Sequence, residues 1–319
     1  MLSYLLRRVP SALGVLFVAS FLIFLMLRLI PGDPVDALAG QDATDESRQA
    51  IREELGLDEP FWSQYLSWIG GLFRLDLGQS YRIGGSVREL LANGALNTVV
   101  LAVTALLIAV TLALVTSLVA VIRDSRWLNA MLAGLNTLGL ALPTFASGLL
   151  LVLLFAVVFP LLPSGGTPPD GYLARPDITV QYLLLPAICL ALPVWAGLTR
   201  FLTESLRSQM RQPYVTTARA AGVSRRRLVI RHALPNALPS TVTVLGIQVG
   251  TLLGGAVLVE QIFTWPGLGS LIESAISGRD YPVVQVLLLL SVAVFVITQL
   301  LTDVLQAWLD PRIRIGGAR

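Results

Sequence analysis

Six stretches free of charged side chains, at residues 9–27, 95–122, 127–169, 178–199, 233–259 and 281–302, constrain what this 319-residue chain can become. A helix needs about 20 apolar residues to cross a bilayer, and inside lipid only helices and closed barrels satisfy every backbone polar group. Runs of this length predict an all-α polytopic membrane protein. The composition agrees, since 13% of the residues are charged where soluble domains carry roughly 25%. Five runs fit one helix each. The third is long enough for two, but its end, PLLPSGGTPP at 160–169, is dense in helix breakers. One helix is therefore predicted over 132–158, kinked near Pro143, which makes six transmembrane helices in all.

Charge placement orients the bundle. All 23 basic residues are Arg. With the N-terminus inside, the inner segments hold 14 Arg and three acids, while the outer segments hold seven Arg and 15 acids. Cytoplasmic loops are enriched in basic residues, so both termini are predicted in the cytoplasm of a multi-pass plasma-membrane protein. Arg7 and Arg8 before an apolar run mimic a signal peptide, and Ala37-Leu38-Ala39 mimics a cleavage site. The run is longer than a signal core and five more follow, so it is read as a retained span. Arg28 at its end is expected to snorkel to the outer headgroups.

The segments between the runs divide the chain into a tail and first span (1–30), an extracytoplasmic segment with amphipathic helices (31–94), a five-helix core (95–310) and a cytoplasmic tail (311–319). In the outer segment, Thr44 or Asp45 caps a helix through Leu55 that Gly56 closes. Residues 61–73 put Phe61, Trp62, Tyr65, Leu66, Trp68, Ile69, Leu72 and Phe73 on one broad face. That face suits either the membrane interface or packing against the spans. Asn97, Asn136, Thr137, Thr199 and Gln248 are polar groups within spans, expected to face the bundle or a translocation path. Helix–helix hydrogen bonding is the alternative for each. Pro143 and Pro193 are candidates for helix breaks beside that path.

The core contains one long basic insert, within 204–239. From Arg207 to Pro239 it carries seven Arg and no acid. Pro213 opens a helix at its first turn. Tyr214 to Ala221 continues it, and Gly222 stops it by taking left-handed backbone. Ser224 then caps a second short helix through Arg231, limited by Pro235 and Pro239. Helix, glycine turn, helix, lying along the membrane face, is the expected form.

These residues carry a resemblance. Gly222, then after nine residues His232-Ala233-Leu234-Pro235, resembles the EAA loop of ABC importer permeases. The acid-Ala-Ala positions fall on Thr216, Thr217 and Ala218, so the acid is missing. TARAAG and RHALPNALP are similar to the dipeptide/oligopeptide branch, first-permease type, with departures at Ala221, Pro235 and Ser240. LGLDEPFWSQYLSWIGGLFRLDLGQSY at 55–81 also resembles that branch, which usually has Gly where Leu75 stands. IFTWPGLG at 262–269 and RDYP at 279–282 match two further signatures.

The resemblance implies the six-helix type I ABC importer permease fold and an importer of di- or oligopeptides, with nickel chelates or glutathione-like compounds as alternatives. It implies that the loop is the coupling helix for an ATPase, on Tyr214, Thr217, Ala218, Arg219, Ala221, Gly222 and Arg226. The implied partners are a second homologous permease, two cytoplasmic ATPases and an extracytoplasmic binding protein, besides membrane lipid; no nucleic acid is expected. No GxxxxGK[ST] phosphate loop occurs, so ATP and Mg2+ are expected on the ATPases and no cofactor or metal on this non-catalytic chain. An ion-coupled secondary transporter, the rival class, places acids within its spans. Here only Glu260 and Asp303 approach that, near span ends.

Overall fold

The structure is a computed structural model that describes residues 2–29, 35, 44–54 and 56–309. The Ala37–Ala39 stretch and the 311–319 tail lie outside the described residues. Helices follow one another along the chain: α1 (Leu2–Leu29), α2 (Asp45–Glu54), α3 (Phe61–Phe73), α4 (Val87–Arg123), α5 (Arg126–Ala141), α6 (Thr144–Val152), α7 (Pro176–Met210), α8 (Pro213–Ala220), α9 (Arg225–Ile262), α10 (Leu268–Ser277) and α11 (Tyr281–Leu309). π-helical turns extend α6 over Leu153–Val158 and lie within α9 at Leu228–Ala233.

Five helices have the length and hydropathy of a span: Arg8–Leu29, Val87–Arg123, Pro176–Met210, Arg225–Ile262 and Tyr281–Gln306. The pair α5 and α6 passes the same test only together, as a broken span or a re-entrant loop, and it corrects the expected kink: the two segments meet at 104°. Pro143 has no N–H, and its ring drives the preceding residue out of helical backbone. Leu142 accordingly has ψ 122° and Pro143 ψ 141°, and the helix restarts at Thr144. Pro193 behaves differently, because it lies inside the unbroken α7 and makes no break.

The helices group into two compact units. One comprises Val99–Trp265 with the chain from Ile297 onward. Its centre is α7, which packs against α5, α6 and α9. Leu101, Ala105, Ala109 and Ala113 recur every fourth residue of α4 and are buried with Leu185, Leu190 and Val194 of α7 and Val259 of α9. Small side chains let helices approach closely and favour hydrogen bonds between them. Ser117 Oγ donates to the Thr199 carbonyl at 3.2 Å, and the Thr116 and Thr199 hydroxyls lie 3.1 Å apart. The breaker-rich loop does not span: Gly166 N–H donates to Phe263 O at 2.8 Å, beside the buried Trp265.

The other unit comprises Arg7–Thr98 with Pro266–Val296. Here the structure decides between the two readings of the aromatic face. Phe61, Tyr65 and Trp68 of α3 pack on Phe24 of α1, with ring centroids 5.2–5.7 Å apart. Tyr65 OH lies 2.9 Å from Ser20 Oγ. Trp62 stacks on Phe21 of α1 at 5.7 Å while keeping an exposed edge, and Leu66 and Phe73 stay exposed. Thr44 Oγ1 accepts the Ser47 N–H at 3.3 Å, and Gly56 follows α2 with φ +63°.

Candidate functional site: the basic elbow and the polar cavity

The basic insert forms an elbow. Helix α8 begins at Pro213, where the missing N–H costs nothing, and is anchored by Val215, which is fully buried. It ends in a six-to-one turn: Val223 N–H donates to Ala218 O at 3.2 Å and Gly222 N–H to Arg219 O at 3.0 Å. Gly222 has φ +82°, and a Cβ there would meet nothing within 4 Å. The glycine is thus required by backbone conformation, while the space around it is open.

The second half departs from expectation. Residues from Arg225 onward form no separate short helix but run without interruption into α9. Pro235 falls in the first turn after the π-helical turn, where Leu234 N–H reaches back five residues to Val229 O. That wider turn accommodates a residue without an N–H, so the proline does not end the helix.

Three interactions set the elbow angle, and none was evident from the motif. Arg225 pairs with Asp124 at 2.7 Å, and its Nε donates to Val121 O at 3.0 Å. Tyr214 OH donates to Gln209 Oε1 at 2.9 Å. Asn236 Nδ2 of α9 donates to Tyr214 OH of α8 at 3.5 Å. Partial desolvation raises the Tyr214 phenol above its usual value, and the Asn236 hydrogen bond opposes the shift. Of the predicted coupling residues, Tyr214, Thr217, Arg219, Ala221, Gly222 and Arg226 are exposed and Ala218 is half-buried. They form one accessible surface whose only anchors are the side chains behind it.

The path candidates separate. Asn136, Thr137 and Thr199 line one cavity of about 510 Å3 between α5 and α7, with Asn129, Arg200, Thr203, Glu204 and Arg207, which sequence reasoning had not placed there. Asn129 and Asn136 stand seven residues apart on α5, a spacing that puts them on one face. Their side-chain oxygens are buried and accept no hydrogen bond from the described residues. Such a cavity can hold a solute rich in N–H donors. Gln248 instead packs on Gly197, and its Oε1 accepts the Thr251 hydroxyl at 3.0 Å. Pro143 contributes the break between α5 and α6. Asn97 lies in the other unit, where its amide donates to Pro266 O at 2.7 Å.

The RDYP and WPGLG signatures form staples within that unit. The fully buried Asp280 carboxylate accepts the Ser80 hydroxyl and the N–H groups of Tyr81, Arg82 and Ile83 at 3.0–3.3 Å. Leu268 N–H donates to Thr98 Oγ1 at 2.7 Å.

A bundle of spans with an exposed basic elbow and a polar cavity beside a broken helix pair is the architecture of a transport permease. The chain belongs to the family described as the inner membrane component of binding-protein-dependent transport systems, which it matches over residues 110–315, and residues 1–90 match the N-terminal part of the same membrane component. It is 35% identical to the glutathione transport system permease protein GsiC of Escherichia coli O6:H1, over 98% of this chain and 99% of that protein. It is 37% identical to a putative peptide permease protein of Brucella suis biovar 1, over 99% and 100% of the two chains. This is an integral membrane permease subunit of the ABC import type, without a catalytic role of its own.

Proposed function

We propose that this subunit carries di- and oligopeptides inward across a bacterial or archaeal plasma membrane. It works with a second homologous permease, two cytoplasmic ATPases that bind ATP and Mg2+, and an extracytoplasmic binding protein that delivers the substrate. The observation that carries this reading is the end-to-end similarity to permeases named for peptide and glutathione transport. Arginine asymmetry supports cytoplasmic termini, which leaves 31–94 outside and the 204–239 insert inside. The elbow is then the coupling element: Tyr214, Thr217, Ala218, Arg219, Ala221, Gly222 and Arg226 meet an ATPase groove. A partner shifts a conformational equilibrium only by binding its states differently. Closure of the ATPases on ATP therefore drives the spans between inward-open and outward-open forms through this surface. Asn136, Thr137 and Thr199 supply hydrogen bonds along the path.

The test is reconstitution. Affinity purification of the tagged chain is expected to bring down two ATPases, and proteoliposomes with the binding protein to accumulate peptide only with ATP. Cysteines at 70 and 170, in a Cys189→Ser background, are expected to label from outside, and one at 225 only from inside. ATP-independent uptake, or outside labelling at 225, would overturn the reading. Glutathione is the second substrate supported, by the GsiC similarity; peptide uptake that excess glutathione competes away would favour it.

A further inference from the structure

The unit of Arg7–Thr98 and Pro266–Val296 contains a cavity of about 1110 Å3, unrelated to the elbow and to the path residues. Arg28, Trp68, Tyr81, Tyr281, Asp58 and Asp76 are among its lining groups. Arg28, Trp68 and Tyr81 converge. The Arg28 guanidinium sits 4.5 Å from the Phe24 ring centroid, and Trp68 stacks on the same ring at 5.7 Å. Tyr81 lies close enough to Arg28 to feel its charge. Tyr281 directly follows Asp280, whose carboxylate accepts the Tyr81 N–H.

Two observations mark the cavity as more than a gap. Trp68 Nε1 and Tyr281 OH are both buried, both line it, and neither has a hydrogen-bond partner among the described residues. Buried donors are costly unless satisfied, and two of them share one chamber with the Arg28 guanidinium, which lies over the Phe24 ring. Burial and the nearby Asp280 charge raise the Tyr81 phenol above its usual range, so it too remains an O–H donor. A group that accepts from an indole, phenols and a guanidinium is an anion with several oxygens, such as a carboxylate. The same chamber carries acceptors of opposite sign. Asp58 uses Oδ2 for Gln49, and Asp76 uses Oδ1 for the Gly78 N–H, which among the described residues leaves the second oxygen of each carboxylate for an ammonium.

We propose that this cavity binds a small zwitterion by its free carboxylate and ammonium, and that in this importer the ligand is a short peptide held outside the membrane path. The choice of peptide rests on the function proposed above; the carboxylate-and-ammonium chemistry does not. A zwitterionic lipid headgroup shares part of that chemistry. It is disfavoured because the chamber is lined by loop residues 56–59 and 76–79 as well as by the ends of spans.

The experiment uses the assembled complex in nanodiscs, without the binding protein, and radiolabelled trialanine in equilibrium dialysis. Saturable binding is expected, with N-acetylated, amidated trialanine failing to compete. Trp68→Phe and Tyr281→Phe each keep the ring and delete one donor. Each is expected to weaken binding about tenfold at unchanged thermal midpoint, and Arg28→Gln more strongly. Absent saturable binding, equal affinity in all three variants, or binding of glycerophosphoethanolamine in place of trialanine would overturn the site. ATP-driven trialanine uptake, measured in parallel with the binding protein, separates the two readings. Uptake without nanodisc binding removes this site and leaves the import function standing; binding without uptake does the reverse.

Discussion

Two helices of this chain end in the same turn with different residues. At the close of α8, Gly222 takes the left-handed position with φ +82°; at the close of α3, Leu75 takes it with φ +60°. Both turns have the six-to-one bond, Val223 N–H to Ala218 O and Asp76 N–H to Gly71 O. Arg279 repeats the Leu75 case after α10, with φ +55° and an Asp280 N–H to Ala275 O bond. Left-handed backbone costs an L side chain roughly 1–2 kcal/mol. At the elbow the residue type removes that cost, so the surrounding side chains are free for a partner. In the unit of Arg7–Thr98 and Pro266–Val296 the six-to-one bonds close both turns, and beside Arg279 the Asp280 carboxylate adds its four donors. The elbow is locally specified and externally open; the outer turns are locally strained and internally tied.

The strongest way to break this comparison is Asp280→Ala. It leaves three N–H groups and a hydroxyl without their acceptor, at about 1–3 kcal/mol for each group that water does not reach. The expected result is loss of most folded chain, read as membrane-extracted monodisperse protein. A normal yield would mean that the strained turns stand without their tie.

Gly222→Val tests the other side. The strain is local, roughly 1–2 kcal/mol, and the neighbourhood is open, so chain yield is expected to hold within about twofold. Peptide uptake is nevertheless expected to fall at least about tenfold, because the exposed surface is re-aimed. Unchanged uptake would assign the elbow no coupling role.

Leu75→Gly sharpens the comparison from the strained side. Relief of left-handed strain at an exposed position is expected to raise stability by about 1 kcal/mol, seen as a higher thermal midpoint. Ala at this position is expected to give no comparable gain.

The smallest effect is pH-dependent. The Tyr81 phenol is raised above its ordinary value, first by burial and then by Asp280. A raised acid contributes stability fully present below its unfolded value, near 10, and lost as pH rises through the folded value. The outer unit is therefore expected to weaken only in alkali. Tyr81→Phe is expected to flatten that alkaline limb of the melting curve and leave neutral pH unchanged.

How much of this was legible depended on whether the signal was local. Hydropathy located the spans, because apolar length is a property of one segment. Gly222 and Gly56 were legible as helix stops, because glycine is a local preference. Leu75, Thr264 and Arg279, all left-handed, were invisible to the same rule, since their residue types carry no preference for that backbone. The 104° break at Leu142–Pro143 was underestimated because hydropathy measures length and not direction. Pro235 was overestimated as a stop, because a π-helical turn absorbs it. Among the path candidates, which polarity picked out, Asn136 and Thr199 line one cavity. Polarity gave the same signal at Asn97, whose amide is occupied by the Pro266 carbonyl, since composition does not say which acceptor stands opposite.

The Asp280 staple has a consequence for how the protein is made. Its carboxylate and the Ser80 hydroxyl it accepts are 200 residues apart in sequence. Ribosomes add about 5–20 residues per second, so the 80–83 segment is extruded about 10–40 s before its acceptor exists. Throughout that interval the 80–83 segment waits with its N–H groups solvated, and the chain leading into the last span closes it. The permease therefore carries its own completion signal: nascent chains arrested before residue 280 are expected to be clipped by external protease at 80–85, and chains released after the final span to resist it.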